Sequence, residues 1–520
     1  LHVIRSMKSK GKAACILPHG VLFRGNAEAV IRKELIQSGI LKAVIGLPQN
    51  LFYGTSIAAC ILVLDKENSS SRKGIFMIDA RNGFKKDGPK NRLREQDLHK
   101  IVDVFTNSID IAHFSRMVPI NEITENKNNY NLNLSRYIDV SVHEDIQNID
   151  GHLRGGIPEF DVDQLNDYWK VIPGVRNLLF ESEGRTGFVK LKIPINKLKT
   201  TIFQHPEFTT FNVSATKIFE KWKKDNISQL NDFEKKSSPS QLIKLLSEDL
   251  LSKFKPIPLV SSYDLYQQLM DYWVETMQDD CYLIIGSGWK DGAKPYEVFK
   301  VKDKNNKLTW SKERFDFTKG KRRFRSDLLP SKILINQYFV SERDSIELLK
   351  KNLSDLEQKL HDVIEENNSE EGLLFDVIEG EGDKKKITAK LLNARLKEIS
   401  NEPNFIEELK ALQDYKNLLE KQTEIKNKLK ISLDGLNIKV DNQYAKLNEE
   451  EIKSLVVKNK WLAYLSAAVQ SELDRVSQVL TSRINELAHR YSTPLPKLTK
   501  EIEELSTKVK EHFKKMGVTW

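Results

Sequence analysis

The feature that most constrains the fold is a set of three short apolar runs near the start of the chain. They lie at residues 12–17, 43–47 and 57–64, and a proline follows each of the first two. Between those two runs, residues 27–37 have the apolar spacing of a helix, which Gly39 ends. Short uninterrupted apolar runs are typical of strands buried on both faces, and their alternation with a helix predicts an α/β sheet.

The sequence predicts three regions of different character. Residues 1–140 alternate between strand and helix patterns, with a further outer strand at 74–79, and residues 141–340 are a mixed α+β region. In the mixed region, the apolar run 281–285 leads into GSGWKDG at 286–292. The glycine spacing is not that of a dinucleotide-binding loop, so we predict a strand and a β-hairpin turn instead of a phosphate loop.

Residues 341–520 form a helical arm of long, charged helices. The last two predicted helices, 460–490 and 497–516, are separated by TPLP, and these prolines predict that the two helices fold back on each other. Apolar residues repeat at intervals of three and four, as in a coiled-coil seam. They are Ile346, Leu349, Leu353, Leu356, Leu360 and Val363, and in the last helix Leu498, Ile502, Leu505, Val509 and Met516.

Composition excludes some classes of function and leaves others open. The net charge of +9 over 520 residues, with a pI near 9.0, permits a polyanionic partner. The three cysteines lie far apart and the ten histidines form no HExxH pair, so no metal site is predicted. No apolar run reaches membrane-spanning length and no secretory signal is present, so we expect a cytoplasmic protein. The first residue is Leu1, which indicates a fragment.

A set of motifs in the first 140 residues, with a few further along, resembles a known family. They lie at 17–25 (LPHGVLFRG), 28, 31–32, 44–57 (VIGLPQNLFYGTSI), 61–64, 76–80, 130–133, 136–137, 156–158, 490–491 and 494–496. They are similar to the adenine-specific DNA methyltransferases, in particular the modification subunit of type I restriction-modification systems. Under this resemblance, the three apolar runs are the fifth, sixth and seventh strands of the family's sheet.

The resemblance implies methyl transfer from S-adenosylmethionine to the N6 amine of adenine in DNA. The family binds this cofactor on a glycine-rich loop and holds the adenine with an Asn-Pro-Pro-aromatic motif. Neither motif occurs in this chain, and the family order places both before residue 1. We therefore expect residues 1–140 to be the C-terminal half of the methyltransferase domain. We expect no catalytic and no cofactor-binding residue in this fragment, and no activity from the fragment alone.

The resemblance also proposes residues that contact the target base. Phe52 corresponds to an aromatic residue that stacks on the flipped adenine in related adenine methyltransferases. The alternative is that Phe52 is a core aromatic that closes its loop. Tyr53 is a second candidate, because its hydroxyl could reach a phosphate. We interpret His19 as structural.

A second candidate site is a basic stretch without any acidic residue at 319–325. Such a stretch suits contacts with DNA phosphates, and the alternative is a solvated turn. The predicted DNA-binding residues are Lys319, Lys321, Arg322, Arg323 and Arg325.

The partners implied by the resemblance are DNA, a specificity subunit and a restriction subunit, with two modification subunits for each specificity subunit. In this interpretation the helical arm docks on the specificity subunit, and the alternative is a self-contained helical hairpin. A competing hypothesis for the whole chain is a non-enzymatic scaffold that binds nucleic acid or protein partners through coiled-coil arms.

Overall fold

The structure is a computed structural model, and it describes residues 1–125, 127–139, 146–302, 308–310, 315–369, 372–380, 385–400, 402 and 405–516. The described residues form two compact units. The first contains those within 1–226 and 240–275 and those from 465 onward, and the second contains those within 227–239 and 276–464. This division differs from the three regions predicted above, because the end of the chain belongs to the first unit. There, the hydroxyl of Tyr491 donates to Asp161 at 3.2 Å.

The strands are short and are numbered here in chain order. They are β1 Lys12–Pro18, β2 Leu41–Gly46, β3 Ala59–Asp65, β4 Gly74–Asp79, β5 Lys85–Asp87, β6 Lys90–Arg92, β7 Ser115–Pro119, β8 Ile157–Pro158, β9 Phe180–Ser182, β10 Phe188–Leu191, β11 Tyr296–Val298, β12 Lys300–Lys302, β13 Leu308–Trp310, β14 Phe317–Lys319 and β15 Arg322–Arg325.

The helices make up most of the remaining described residues. They are α1 His2–Ser6, α2 Asn26–Gln37, α3 Glu95–Asn107, α4 Ile120–Thr124, α5 Ile149–Arg154, α6 Glu159–Asp163, α7 Asn166–Val171, α8 Pro173–Leu179, α9 Leu198–Gln204, α10 Pro206–Asn231, α11 Pro239–Phe254, α12 Ser262–Tyr272, α13 Gln278–Ser287, α14 Trp289–Gly292, α15 Ser331–Tyr338, α16 Val340–Glu366, α17 Ala389–Glu398, α18 Ile406–Lys446, α19 Glu449–Ser454, α20 Ala463–Arg490 and α21 Leu495–Lys515, with π-helical turns at Trp273–Met277 and Leu455–Leu462. No helix in the described ranges is both long and apolar enough to cross a membrane.

The central sheet of the first unit has the strand order β1-β3-β2-β4-β7. β3 is antiparallel to both of its neighbours, from Lys12 opposite Asp65 to Pro18 opposite Ala59 on one side. β2 and β4 are parallel, and β7 closes the far edge antiparallel to β4. β1, β2 and β4 therefore all point the same way. β1 lies at the other edge, and its residues alternate between exposed and half-buried.

The two faces of this sheet bury separate apolar cores, which explains the continuous apolar strands. On one face, Val44 and Met77 pack with Ile36 of α2. On the other face, Ile45 packs with Ile101 and Val104 of α3. Neighbouring residues of β2 therefore face opposite cores, so each must be apolar. The predicted α/β sheet is confirmed, with strands at the four predicted places.

The prediction of a strand and β-hairpin turn at 281–292 is wrong. These residues form α13 and α14 instead, and Gly288 joins them with a φ of 80°. Cys281 and Ile284 are both fully buried, one helical turn apart, and the indole of Trp289 donates to the carbonyl of Phe233 at 2.7 Å. A short apolar run is compatible with a buried helix as well as a buried strand, and here tertiary packing selects the helix.

The predicted packing of the last two helices against each other is also wrong. α21 begins after Pro494, as the proline-rich connection predicts, but all of its residues are exposed. The apolar face of α20, which includes Leu473, Leu480 and Ile484, is already buried within the first unit. The exposed seam residues of α21 are Leu498, Ile502, Leu505, Val509 and Met516.

The predicted helix with the seam 346–363 is present as α16 in the second unit. It packs along α18, and three of its seam residues, Ile346, Leu356 and Leu360, are buried. Lys426 of α18 pairs with Glu357 at 3.0 Å. Coiled-coil supercoiling of these helices stays a prediction.

A buried ion pair lies in the interior of the second unit. The ammonium of Lys460, in the π-helical turn, contacts Asp280 of α13 at 2.7 Å and donates to the carbonyls of Asp327 and Leu328. The indole of Trp461 donates to Oδ2 of the same carboxylate at 2.7 Å. Burial raises the pKa of Asp280, whereas its pairing with Lys460 acts in the opposite direction. The pair therefore depends on all of these hydrogen bonds to compensate for desolvation.

We expect Lys460→Met to destabilise the second unit strongly, because it leaves the carboxylate of Asp280 buried without its cation. Breaking a buried pair in this way costs about 3–5 kcal/mol, and the indole of Trp461 keeps the loss near the lower value. Urea unfolding followed by tryptophan fluorescence measures it. The exposed neighbour Lys458 provides the control, and Lys458→Met should change stability by less than about 0.5 kcal/mol. Equal effects of the two substitutions would contradict this account.

Candidate functional site

One edge of the central sheet collects the connections that carry the candidate residues. β1, β2 and β4 are parallel to one another, so their carboxyl ends lie along this edge. The backbone joins these ends directly: the amide of His19 donates to Ala58 at 2.9 Å and the amide of Ala80 donates to Gly46 at 3.0 Å. In open α/β sheets, ligands bind outside the carboxyl ends of the strands.

The loop between β2 and β3, residues 47–58, carries Phe52 and Tyr53. Asn50 and Gly54 both have positive φ angles, 55° and 77°, and the amide of Asn50 donates to the carbonyl of Ser56 at 3.3 Å. The loop is therefore a closed turn that presents its middle residues outward. Phe52 is 37% exposed and Tyr53 is 94% exposed. Neither ring is part of the core, which speaks against the interpretation of Phe52 as a core aromatic.

A hairpin formed by β5 and β6 supports this loop. The side-chain amide of Asn91 donates to the carbonyl of Gln49 at 2.7 Å, and its backbone amide donates to Asn50 at 3.0 Å. The ammonium of Lys90 donates to the carbonyl of Phe52 at 2.7 Å and lies 5.9 Å from the ring centroid of Tyr53. The sequence analysis missed Lys90 and Asn91. The Gly88-Pro89 dipeptide is a turn signal, but it does not indicate which loop the hairpin supports.

His19 lies at the same edge, at the start of a short 3₁₀ turn after β1. Its ring is buried, and its Nε2 atom has no hydrogen-bond partner in the part of the chain that the structure describes. Burial lowers the pKa of His19, and the nearby cation of Arg81 adds to this effect. Arg81 is itself held by Asp79, with its Nε 2.8 Å from the carboxylate. His19 is therefore a neutral, largely buried residue, and its structural role stays a prediction.

The described residues of this edge do not fit S-adenosylmethionine. Its ribose hydroxyls and amino group call for acceptors, and Asp79, the carboxylate at the end of β4, is already paired with Arg81. The sequence also contains no glycine-rich turn after β1 or β2.

The basic stretch 319–325 is a β-hairpin in the second unit, in which β14 and β15 flank Gly320 and Lys321. Lys319 pairs with Asp441 at 2.7 Å, Arg322 with Glu297 at 3.8 Å and Arg325 with Asp327 at 2.5 Å. The guanidinium of Arg323 lies 4.3 Å from the ring centroid of Phe315. At least three of the five predicted DNA-binding cations thus already have carboxylate partners.

Other reactive groups do not form a site among the described residues. No group of three or more potential metal ligands occurs there. Burial raises the pKa of Cys60 to about 11 and that of Cys281 to about 12, so both thiols stay protonated at neutral pH. The sheet edge with Phe52 is therefore a better candidate for the functional site than the basic hairpin 319–325.

We expect Lys90→Met to loosen the 47–58 loop without unfolding the sheet. The substitution removes the hydrogen bond to the Phe52 carbonyl, worth about 1 kcal/mol, so amide exchange in the loop should accelerate roughly fivefold. Hydrogen-exchange mass spectrometry of peptides from 47–58 measures the change. Lys86→Met alters an exposed lysine of the same hairpin and is the matched control. Unchanged exchange in the Lys90 variant would show that the loop is held by Asn91 alone.

The first part of the chain is similar to known proteins. The family model of N-6 DNA methylases matches residues 1–145. The type I restriction enzyme MjaVII methylase subunit of Methanocaldococcus jannaschii is 40% identical over 157 residues, 29% of this chain and 26% of that protein. The MpnII methylase subunit of Mycoplasma pneumoniae is 39% identical over 138 residues, 26% of this chain and 25% of that protein.

A solved structure is also similar to part of the chain. The type I restriction-modification system methyltransferase subunit from Streptococcus thermophilus is 40% identical and covers 26% of this chain and 29% of that one, with a TM-score of 0.25. The chain spans only about a quarter of the length of the curated relatives named above. Residues 1–145 are therefore similar to N-6 DNA methylases, and the chain is similar to part of the methylase subunits of type I restriction enzymes.

Proposed function

We propose that this chain is part of the modification subunit of a type I restriction-modification complex, which methylates adenine N6 in DNA with S-adenosylmethionine as methyl donor. One observation carries the proposal. The segment that matches the N-6 DNA methylase family model presents a partly exposed aromatic ring, Phe52, on a closed loop at the carboxyl edge of its sheet. An aromatic ring in such a position can stack on a base that has left the duplex.

The reaction explains why holding the base matters. The amine of adenine is a poor nucleophile because its lone pair is delocalised into the ring, so the base must be held in a fixed position for attack on the methyl group. Phe52 would supply one stacking surface, and Lys90 and Asn91 fix the loop that carries it. S-adenosylmethionine supplies the methyl group when bound, and we propose that it is held mostly by residues outside this chain. The chain alone is then inactive.

We further propose that the hairpin 317–325 binds DNA and that α21 binds a partner subunit. The hairpin 317–325 would add sequence-independent DNA affinity through Lys321 and Arg323, which line an open groove of about 570 Å³. The exposed apolar stripe of α21 would dock on helices of a specificity subunit, in a complex that also contains a restriction subunit and two copies of the modification subunit. Helices with one apolar stripe are stabilised mainly by burying it, and α21 leaves Ile502 64% exposed and Leu505 60% exposed.

Phe52→Ala, made in the complete subunit within its complex, should reduce methylation more than cofactor binding. Stacking on one base is worth about 1–3 kcal/mol, so kcat/KM should fall roughly 5- to 150-fold while the Kd for S-adenosylmethionine stays the same. Methyl-transfer kinetics and calorimetry measure the two quantities. Phe375→Ala removes a ring that is exposed to a similar degree in the second unit and should leave both unchanged. Equal losses in methylation and cofactor binding would refute the stacking role.

The double substitution Ile502→Glu and Leu505→Glu should abolish co-purification with the specificity subunit. Both side chains are exposed, so the free chain should fold as before, while the charges prevent burial of the stripe in a complex. Tandem affinity purification measures the association. The matched control, Glu501→Gln and Glu504→Gln, changes exposed residues of the same helix and should keep the association. If the double glutamate variant still co-purifies, the docking surface lies elsewhere.

A further inference from the structure

The hairpin of β5 and β6 is an unusual concentration of positive charge in the first unit. Residues 85–92 read KKDGPKNR, with four cations and one acid. Lys85, Lys86 and Arg92 are exposed. The turn is a tight two-residue connection, in which Gly88 has a φ of 58°, the sign required at the first position of a type II′ turn. The charges are therefore displayed on a short ribbon with a fixed shape.

No cation of this hairpin has a carboxylate partner among the residues that the structure describes. Within the described ranges, Lys85, Lys86 and Arg92 form no ion pair, and the ammonium of Lys90 donates to backbone carbonyls. The hairpin 317–325 differs in this respect, because three of its cations are paired with acids. The surface charge of 85–92 is therefore available to an external anion.

The register of the hairpin places two of these cations opposite each other, and their repulsion destabilises the hairpin. Lys85 lies directly opposite Arg92 in the antiparallel pair. Like charges at directly opposed positions destabilise a two-stranded ribbon, and a ribbon of this size has little stability of its own. Their juxtaposition is unfavourable in the free protein and becomes favourable once an anion lies over both side chains.

The position of the ribbon indicates which anion it would meet. Asp87 lies opposite Lys90, and this pair is two residues further along the ribbon than the Lys85–Arg92 pair. Side chains two residues apart on a strand project from the same face, so the side chains of both pairs lie on one face of the ribbon. Lys90 on this face contacts the Phe52 carbonyl and the ring of Tyr53. The cationic pair thus lies beside the loop that presents Phe52. DNA phosphates next to a displaced base are regularly spaced anions that would approach this surface.

We propose that the ribbon 85–92 contacts the DNA backbone beside the target base, with Lys85 and Arg92 as the phosphate-binding residues. This inference rests on the proposed function, because it takes DNA as the ligand. The contact is sequence-independent, since it uses only phosphate charge. It couples DNA affinity to the Phe52 loop, because the same ribbon holds that loop through Lys90 and Asn91.

The test measures DNA binding by the full 520-residue chain as a function of salt. The variant is Lys85→Gln with Arg92→Gln, which removes both charges and keeps long polar side chains. The probe is a fluorescein-labelled duplex of random sequence, followed by anisotropy. Each lost phosphate contact reduces the slope of log Kd against log salt by about 0.9, so the slope should fall by about 1.8, and the affinity loss between ~50 and ~200 mM salt should shrink roughly tenfold.

A matched control separates this effect from net charge. Lys217 and Lys221 are exposed, lie one turn apart on α10 and form no ion pair in the described residues, so they too are like-charged neighbours. Lys217→Gln with Lys221→Gln removes the same charge and should leave the slope unchanged. Thermal unfolding provides a second readout: the ribbon variant should be as stable as the wild-type chain or slightly more stable, because the repulsion is relieved.

The results of this DNA-binding test can be told apart from a failure of the proposed methyltransferase function. An unchanged slope in the ribbon variant, or equal shifts in the ribbon and control variants, would overturn the inference. A wild-type chain that does not bind the duplex at low salt would overturn it as well. If the ribbon variant loses association with a specificity subunit and keeps its DNA binding, the ribbon contacts protein and the inference is wrong. If the slope falls as expected but the complete subunit does not methylate DNA, the ribbon assignment stands and the proposed function fails.

Discussion

The antiparallel insertion of β3 between β1 and β2 is the constraint on which the candidate site depends. Because β3 runs against both neighbours, the chain must reverse direction directly after β2, at the edge where the carboxyl ends of β1, β2 and β4 lie. The connection 47–58 is thereby placed where ligands approach open sheets. The same insertion brings His19 within hydrogen-bonding distance of Ala58. The position of the loop is therefore set by the strand order and not by the sequence of the loop.

The loop is held by its own backbone conformation and by contacts from a distant hairpin. The sequence predicts the first of these better than the second. Positive φ angles at Asn50 and Gly54 are a local property, and these residue types suit such turns. The contacts from Lys90 and Asn91 are made to backbone carbonyls some forty residues away in the chain. Any residue offers a carbonyl, so no pattern of side chains indicates that partnership.

The difference between local properties and long-range contacts also explains where prediction from the sequence succeeded. The strands of the central sheet could be predicted because β2 and β4 are buried on both faces, so burial appears directly as an apolar run. The helix at 281–287 could not be told from a strand, because Cys281 and Ile284 are buried at a spacing that a five-residue run does not resolve. The exposure of α21 was not predictable either, since the apolar face of α20 is buried without any buried residue of α21. Phe52 is a candidate only through the resemblance, and the structure adds that its ring is accessible.

The edge strand β1 has a consequence for the behaviour of the chain in solution. One side of its backbone pairs with β3, and within the described residues the other side has no strand beside it. Natural edge strands are usually protected by inward-pointing charges, bulges or prolines within the strand. Here Lys12 is paired with Glu67, Pro18 lies at the very end, and the residues between carry no charge, with Ile16 58% exposed. This edge is a template for intermolecular strand addition, so aggregation of the isolated chain should begin there and rise with concentration.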